Sequence, residues 1–210
     1  MLDTLQRLPD DPILGLAAIC REDSNPNKVD LTLGVYMNES GLCPVFEAIQ
    51  QAQRTLVAEE TTKVYMPPAG DPDFNRGMRA LVFGADSEAL AAGRVSSIQA
   101  PGGCGALRIG AEIAYAANPG ARVWVSDPTW PVHIPLIGSV GLQFSKYRYY
   151  DAASHGVDFE GMVEDLKAAA KGDLVLLHGC CHNPCGADLT LEQWATIADM
   201  AEQQGFTPFI

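Results

Sequence analysis

Between Val95 and Ile210 the chain alternates short apolar runs with longer amphipathic stretches, and few folds accept that alternation. Val95 to Ala100 reads as a strand, followed by a glycine-rich turn and a helix from about Ala106 to Ala117. Arg122 to Ser126 reads as the next strand, then a short helix near Pro135 to Ser139. Leu142 to Tyr150 alternates as a strand, Asp158 to Ala169 is an amphipathic helix, and Leu174 to Leu177 is an apolar run of strand length. Thr190, with Gln193 three residues on, opens a capping-box helix that runs to Gln204 and closes at Gly205. Phe206 to Ile210 begins another apolar strand. Apolar strands separated by helices predict an α/β fold: a mostly parallel sheet with helices on both faces.

Ahead of this region, Asp11-Pro12 opens a helix as N-cap and first-turn proline, and Asn25-Pro26-Asn27 stops it. Val29 to Leu33 alternates as a short strand. Pro44 starts a second helix with Val45, Ala48, Ile49, Ala52 and Leu56 on one face, and Asp71-Pro72 a third that runs to about Phe83. At 210 residues, 47% hydrophobic and 19% charged, the chain is long and apolar enough for a substantial core. Its formal net charge of −12 argues against nucleic acid or an anionic membrane as partner. No apolar run approaches the roughly 18 residues of a membrane-spanning helix. Six cysteines without framework spacing read as reduced thiols, which points to the cytoplasm.

Three segments carry chemistry. In Gln99-Ala100-Pro101-Gly102-Gly103-Cys104-Gly105 a strand ends, glycines turn the chain and a helix begins, a junction whose N–H groups favour a phosphate or another anion. The glycine spacing is not that of a dinucleotide site, and no acid follows at the distance that would hold a ribose; a nucleotide-dependent oxidoreductase is disfavoured, and a tight turn with no ligand stays open. Asp127-Pro128-Thr129-Trp130, with His133 beyond it, follows a strand, where ligands gather in parallel sheets; Trp130 offers a ring face and His133 a titratable group. A core tryptophan and a surface histidine are the plainer alternative. His178-Gly179-Cys180-Cys181-His182-Asn183-Pro184-Cys185 follows another strand. Its cysteines and histidines invite a zinc reading, but adjacent cysteines suit a tetrahedral site poorly and no second paired motif exists, so no metal is expected. Asn183, extended before Pro184, aims its amide out of the loop.

These segments, with Thr62-Lys63-Val64-Tyr65, Asp11-Pro12-Ile13-Leu14-Gly15-Leu16 and Leu33-Gly34-Val35-Tyr36, resemble in order and spacing the aspartate and aromatic aminotransferases, fold-type I enzymes dependent on pyridoxal phosphate. The resemblance runs from near residue 9 to residue 210. It implies the first part of the fold-type I large domain, with Gly102, Gly103 and Cys104 on the loop that cradles the cofactor phosphate. By the same resemblance, Trp130 stacks on the pyridine ring and lies near the substrate carboxylate, and Asn183 bonds the cofactor's phenolic oxygen and that carboxylate. Tyr65 reaches the phosphate of the other subunit of a homodimer, Gly34 lies over the substrate, and His133 and His178 stand behind the ring.

The chain departs from that pattern at Cys104 and Cys185, where the family usually carries a hydroxyl residue, and at Val132, where it carries asparagine. The resemblance also places the aspartate for the pyridine nitrogen, the lysine that bears the cofactor and the arginine for the substrate carboxylate after residue 210. The expectation is therefore an N-terminal half: residues 1–43 an arm and part of the small domain, residues 44–210 the first part of the large domain. For the intact protein it implies transamination between an aspartate or aromatic amino acid and a 2-oxo acid such as 2-oxoglutarate. The alternative is a fragment that is inactive and at most binds the cofactor weakly or dimerises.

Overall fold

The computed structural model describes residues 12–30 and 34–210. The chain divides into two compact units, one ending at Tyr65 and one running Met66–Ile210.

In the first unit, helix α1 (Pro12–Glu22) ends where Lys28 Nζ donates to the carbonyls of Cys20 and Asp23, at 2.5 and 2.7 Å. A cation at a helix C-terminus satisfies carbonyls that have no partner within the helix. Asp11, its expected cap, and most of the expected strand 29–33 lie outside the described residues; residues 29 and 30 carry no strand. Helix α2 (Glu47–Glu59) begins three residues after Pro44 and buries no side chain.

The second unit opens with α3 (Pro72–Phe83), where Asp71 accepts from the Phe74 N–H at 2.8 Å as the sequence predicts, and a short α4 (Glu88–Ala91) that sequence reading missed. The expected strand Val95–Ala100 is not formed. A strand needs a ladder neighbour, and this segment bonds instead to the turn before α3 and to α3 itself. The Gln99 N–H donates to Ala69 O at 3.0 Å, and Gln99 Oε1 accepts the Asp71 N–H at 2.8 Å. Gly70, at φ +87°, lies so close to Gln99 that an added Cβ would fall 2.2 Å from the Gln99 Cβ.

The sheet follows: α5 (Gly102–Ala117), β1 (Arg122–Asp127), α6 (His133–Gly138), β2 (Gln143–Arg148), α7 (Phe159–Leu166), β5 (Leu174–Leu176), α8 (Leu191–Gln204) and β6 (Thr207–Phe209). Between β2 and α7 a two-residue hairpin, β3 (Tyr150–Asp151) with β4 (Gly156–Val157), replaces the end of the single strand expected to Tyr150. The four main strands are all parallel in the order β2-β1-β5-β6. Successive side chains on a strand point to opposite faces. Thus Val123, Val125, Leu174 and Leu176 pack with Ala111 of α5 and Ile137 of α6. Trp124, Val175, Tyr147 and Leu177 pack on the other face with Met162 and Leu166 of α7 and Ile197 of α8. Both faces are covered, as apolar strands require. The Thr190–Gln193 box is closed in both directions, at 2.9 and 3.2 Å, and Gly205 ends α8 at φ +79°. Pro208 fits in β6 because the ladder bonds to β5 run through the Thr207 N–H and Phe209 O.

Candidate active site

The strand order reverses between β1 and β5: after β1 the chain steps outward to β2, then returns to place β5 and β6 on the other side of β1. In open parallel sheets the crevice at the carboxyl ends of such strands receives ligands. The loops leaving β1 and β5 are 127–133 and 177–186, the two segments that sequence analysis picked out.

They meet through a row of rings. Trp130 stands edge-on to His133 at 5.2 Å between centroids, His133 edge-on to His178 at 5.2 Å, and His178 is stacked on His182 at 4.0 Å. His182 is stacked in turn on Tyr149 at 4.1 Å. Thr129 Oγ1 lies 2.8 Å from His133 Nδ1 and 3.4 Å from His178 Nε2, while Ser126 Oγ lies 2.9 Å from His182 Nε2. His182 and Ser126 are fully buried, and His133 is buried. Asn183 is exposed; its backbone N–H donates to His178 Nδ1 at 3.1 Å, and its side-chain amide has no protein partner among the described residues.

Helix α5 brings its N-terminus to the same edge. Asn118, just past its C-terminus, donates to Gly172 O before β5 starts, whereas Gly110 lies against Phe209 at the end of β6. The helix therefore runs against the strands, and Gly102, Gly103 and Cys104 sit at their carboxyl ends. These three residues form the first helical turn, not a separate loop before a helix at Ala106, and no side chain caps them. The Gly102 N–H donates back to Ala100 O at 2.9 Å, while the Gly103 and Cys104 N–H groups are open to an anion. A Cβ at Gly102 or Gly103 would meet nothing within 4 Å, so the approach is clear.

Burial, and then the neighbouring His178, lowers the His133 pKa to about 4. Burial, and then His178, likewise bring His182 to about 4. His178 is lowered by burial against the pull of Asp188. The row is therefore neutral at pH 7, and the sign of its pH dependence follows. An unfolded histidine titrates near 6.5, so the stability these groups carry is complete above that pH and is lost as pH falls toward 4. Urea midpoints should fall steadily from pH 7 to pH 4, and His182→Gln should flatten that fall. An unchanged slope in the variant would contradict the assignment.

Residues 26–210 match the family described as aminotransferase class I and II. The chain belongs to that family. The chain is 46% identical over its full length to the aromatic-amino-acid aminotransferase of Paracoccus denitrificans, and 43% identical over 99% of its length to the aspartate aminotransferase of Escherichia coli K12. It covers 52% of each. The crystal structure of the aromatic-amino-acid aminotransferase from Burkholderia pseudomallei, covalently bound to pyridoxal phosphate, superposes with a TM-score of 0.96 at 40% identity, over 100% of this chain and 52% of that one. The chain thus spans about half the length of the relatives it matches.

Of the residues singled out in the sequence, Trp130, His133, His178 and Asn183 are brought together at the switch point, with Gly102, Gly103 and Cys104 at the same edge. Gly34 and Tyr65 belong to the other unit, where Tyr65 is wholly exposed. Sequence reasoning missed Ser126, Thr129, Tyr149 and Asp188 and gave His182 no role of its own. Among the described residues no three His, Cys, Asp or Glu side chains are arranged to hold a metal ion, and no helix is long and apolar enough to cross a membrane. Among the described residues no lysine is hydrogen-bonded into the cluster; Lys146 on β2 pairs with Asp127 Oδ1 at 3.1 Å.

Proposed function

We propose that these residues form the first half of a pyridoxal-phosphate-dependent aminotransferase of the aspartate or aromatic type, acting between an amino acid and a 2-oxo acid. The observation that carries this reading is convergence: an uncapped helix N-terminus, a half-buried tryptophan and an unpartnered amide at one sheet edge. That set fits the cofactor. The Gly103 and Cys104 N–H groups suit its phosphate with Gly102 leaving the approach clear, Trp130 suits its ring and the Asn183 amide its phenolic oxygen. When bound, pyridoxal phosphate supplies an electron sink for breaking the bond between an amino acid's α-carbon and its hydrogen. Trp130 orients the ring, Asn183 donates to oxygen, and the neutral histidine row backs the site without adding positive charge.

The same reading assigns residues 1–43 to an arm and part of the small domain and residues 44–210 to the large domain. It gives Gly34 a place over the substrate and Tyr65 a role toward the phosphate of a partner subunit, which its full exposure supports. Six free cysteines suit the reducing cytoplasm.

Equilibrium titration with pyridoxal phosphate in the complete enzyme tests the assignment. Cys104→Thr should tighten binding by at most roughly 1.5–3 kcal/mol, the scale of one hydrogen bond to a charged group, because a hydroxyl is a better donor than a thiol. Trp130→Ala and Asn183→Ala should weaken it. Affinity indifferent to all three changes would overturn the reading.

A further inference from the structure

The turn that presents Asn183 is held by a residue outside every recognised motif. Asp188 Oδ2 accepts the Cys181 N–H at 2.7 Å and Asp188 Oδ1 the His182 N–H at 2.8 Å. Cys181 sits at φ +52°, in the left-handed region that a residue with a side chain seldom occupies. A residue in that conformation turns successive N–H groups to one side, making a concavity suited to an anion. Here a carboxylate of the chain fills it. The turn is closed by the Gly186 N–H to His182 O at 2.7 Å and pinned by the Asn183 N–H to His178.

Asp188 is itself anchored. Its neighbour Ala187 accepts from the Tyr149 hydroxyl at 2.7 Å, and Tyr149 is 3% exposed and stacked on His182. The chain of support runs from the core through Tyr149 and Ala187 to the Asp188 carboxylate, and from there through two backbone N–H groups to the residue before Asn183. The hydrogen bonds from His182 and then Cys181 hold the Asp188 carboxyl below the ordinary carboxylate range, so it is ionised and accepts only.

We propose that Asp188 is a positioning residue for cofactor binding: its carboxylate fixes the 180–186 turn in the conformation that directs the Asn183 amide into the site. The proposal rests on the functional reading above. It does not require Asp188 to touch cofactor or substrate. Removing the carboxylate would release Cys181 from its left-handed conformation and let Asn183 swing, lowering affinity without altering any group that contacts the ligand.

Two measurements test it. In the complete enzyme, Asp188→Ala should speed amide hydrogen exchange at Cys181 and His182 by about tenfold or more, the scale of losing a charge-assisted hydrogen bond, while amides of β1 and β5 keep their protection. Asp188→Asn, which preserves shape but offers one accepting oxygen, should fall between. Exchange that accelerates throughout the sheet, or not at all in the turn, overturns the proposal. In the complete enzyme, Asp188→Ala and Asn183→Ala should each weaken pyridoxal phosphate about tenfold, and the double variant should be no weaker than Asn183→Ala alone, because the first acts through the second. Additive losses would mean that Asp188 acts elsewhere. If Asn183→Ala alone binds the cofactor like the parent, the role given to Asn183 has failed and the cofactor part of this proposal with it; if Cys104→Thr and Trp130→Ala are also without effect, the functional reading itself has failed.

Discussion

Asp173→Ala is expected to destabilise the second unit by about 3–5 kcal/mol, because one buried carboxylate serves three donors, two on β1 and one in its own turn, and each bond to a charged acceptor is worth roughly 1.5–3 kcal/mol before solvent compensates the exposed ones. Asp173 Oδ2 accepts the Trp124 indole N–H at 3.0 Å and the Ala170 N–H at 2.9 Å, and Asp173 Oδ1 accepts the Arg122 N–H at 3.1 Å. Trp124 is buried in the core, so its N–H cannot turn to water when the carboxylate is gone. Burial pushes the Asp173 carboxyl up, but the bonds from Trp124, Ala170 and Arg122 outweigh it and hold the group below the ordinary range. Its stabilisation is therefore present above the unfolded carboxylate pKa near 4 and is lost as pH falls below it. Urea denaturation at pH 7 measures the cost. Asp173→Asn, which keeps one oxygen, should lose less, and a loss under about 1 kcal/mol for alanine would show that the donors find other partners.

The second large effect concerns surface. Large apolar side chains stand exposed in both units. In the first unit Ile49, Leu56 and Val57 of α2 are exposed, with nothing on that helix buried. In the second, Leu81, Val82 and Phe83 end α3 uncovered, and Ile98 and Ile113 are open on their own segments. Monomers rarely tolerate contiguous apolar patches beyond a few hundred Å². These 210 residues expressed alone are expected to bind an apolar-surface dye strongly and to associate at micromolar concentration. The helices should persist, since α5 and α8 make their hydrogen bonds locally, so circular dichroism will not report the defect. A monodisperse monomer with a steep urea transition and no dye binding would refute this.

The sequence determined what depends on neighbours along the chain. Asp71 caps α3, the Thr190–Gln193 box opens α8 and Gly205 closes it because each motif spans a single turn. The apolar runs of β1 and β5 announced strands buried on both faces, and the position of Trp130 and Asn183 just beyond them announced a ligand edge. Recognition of the family needed only order and spacing. What the sequence could not determine is what lies across the chain. Residues 95–100 have the composition of a strand, yet strand is a statement about a neighbour, and their partners turned out to be Ala69, Asp71 and Asn75 of a turn and helix. The order β2-β1-β5-β6, which makes residues 127 and 178 neighbours, appears in no local pattern. Asp188 and Asp173 look in the sequence like two more solvated acids among the chain's 26. Only the fold brings the Arg122 and Trp124 N–H groups to Asp173 and turns the Cys181 and His182 N–H groups onto Asp188, and a carboxylate acquires a role from the donors that the tertiary structure places around it.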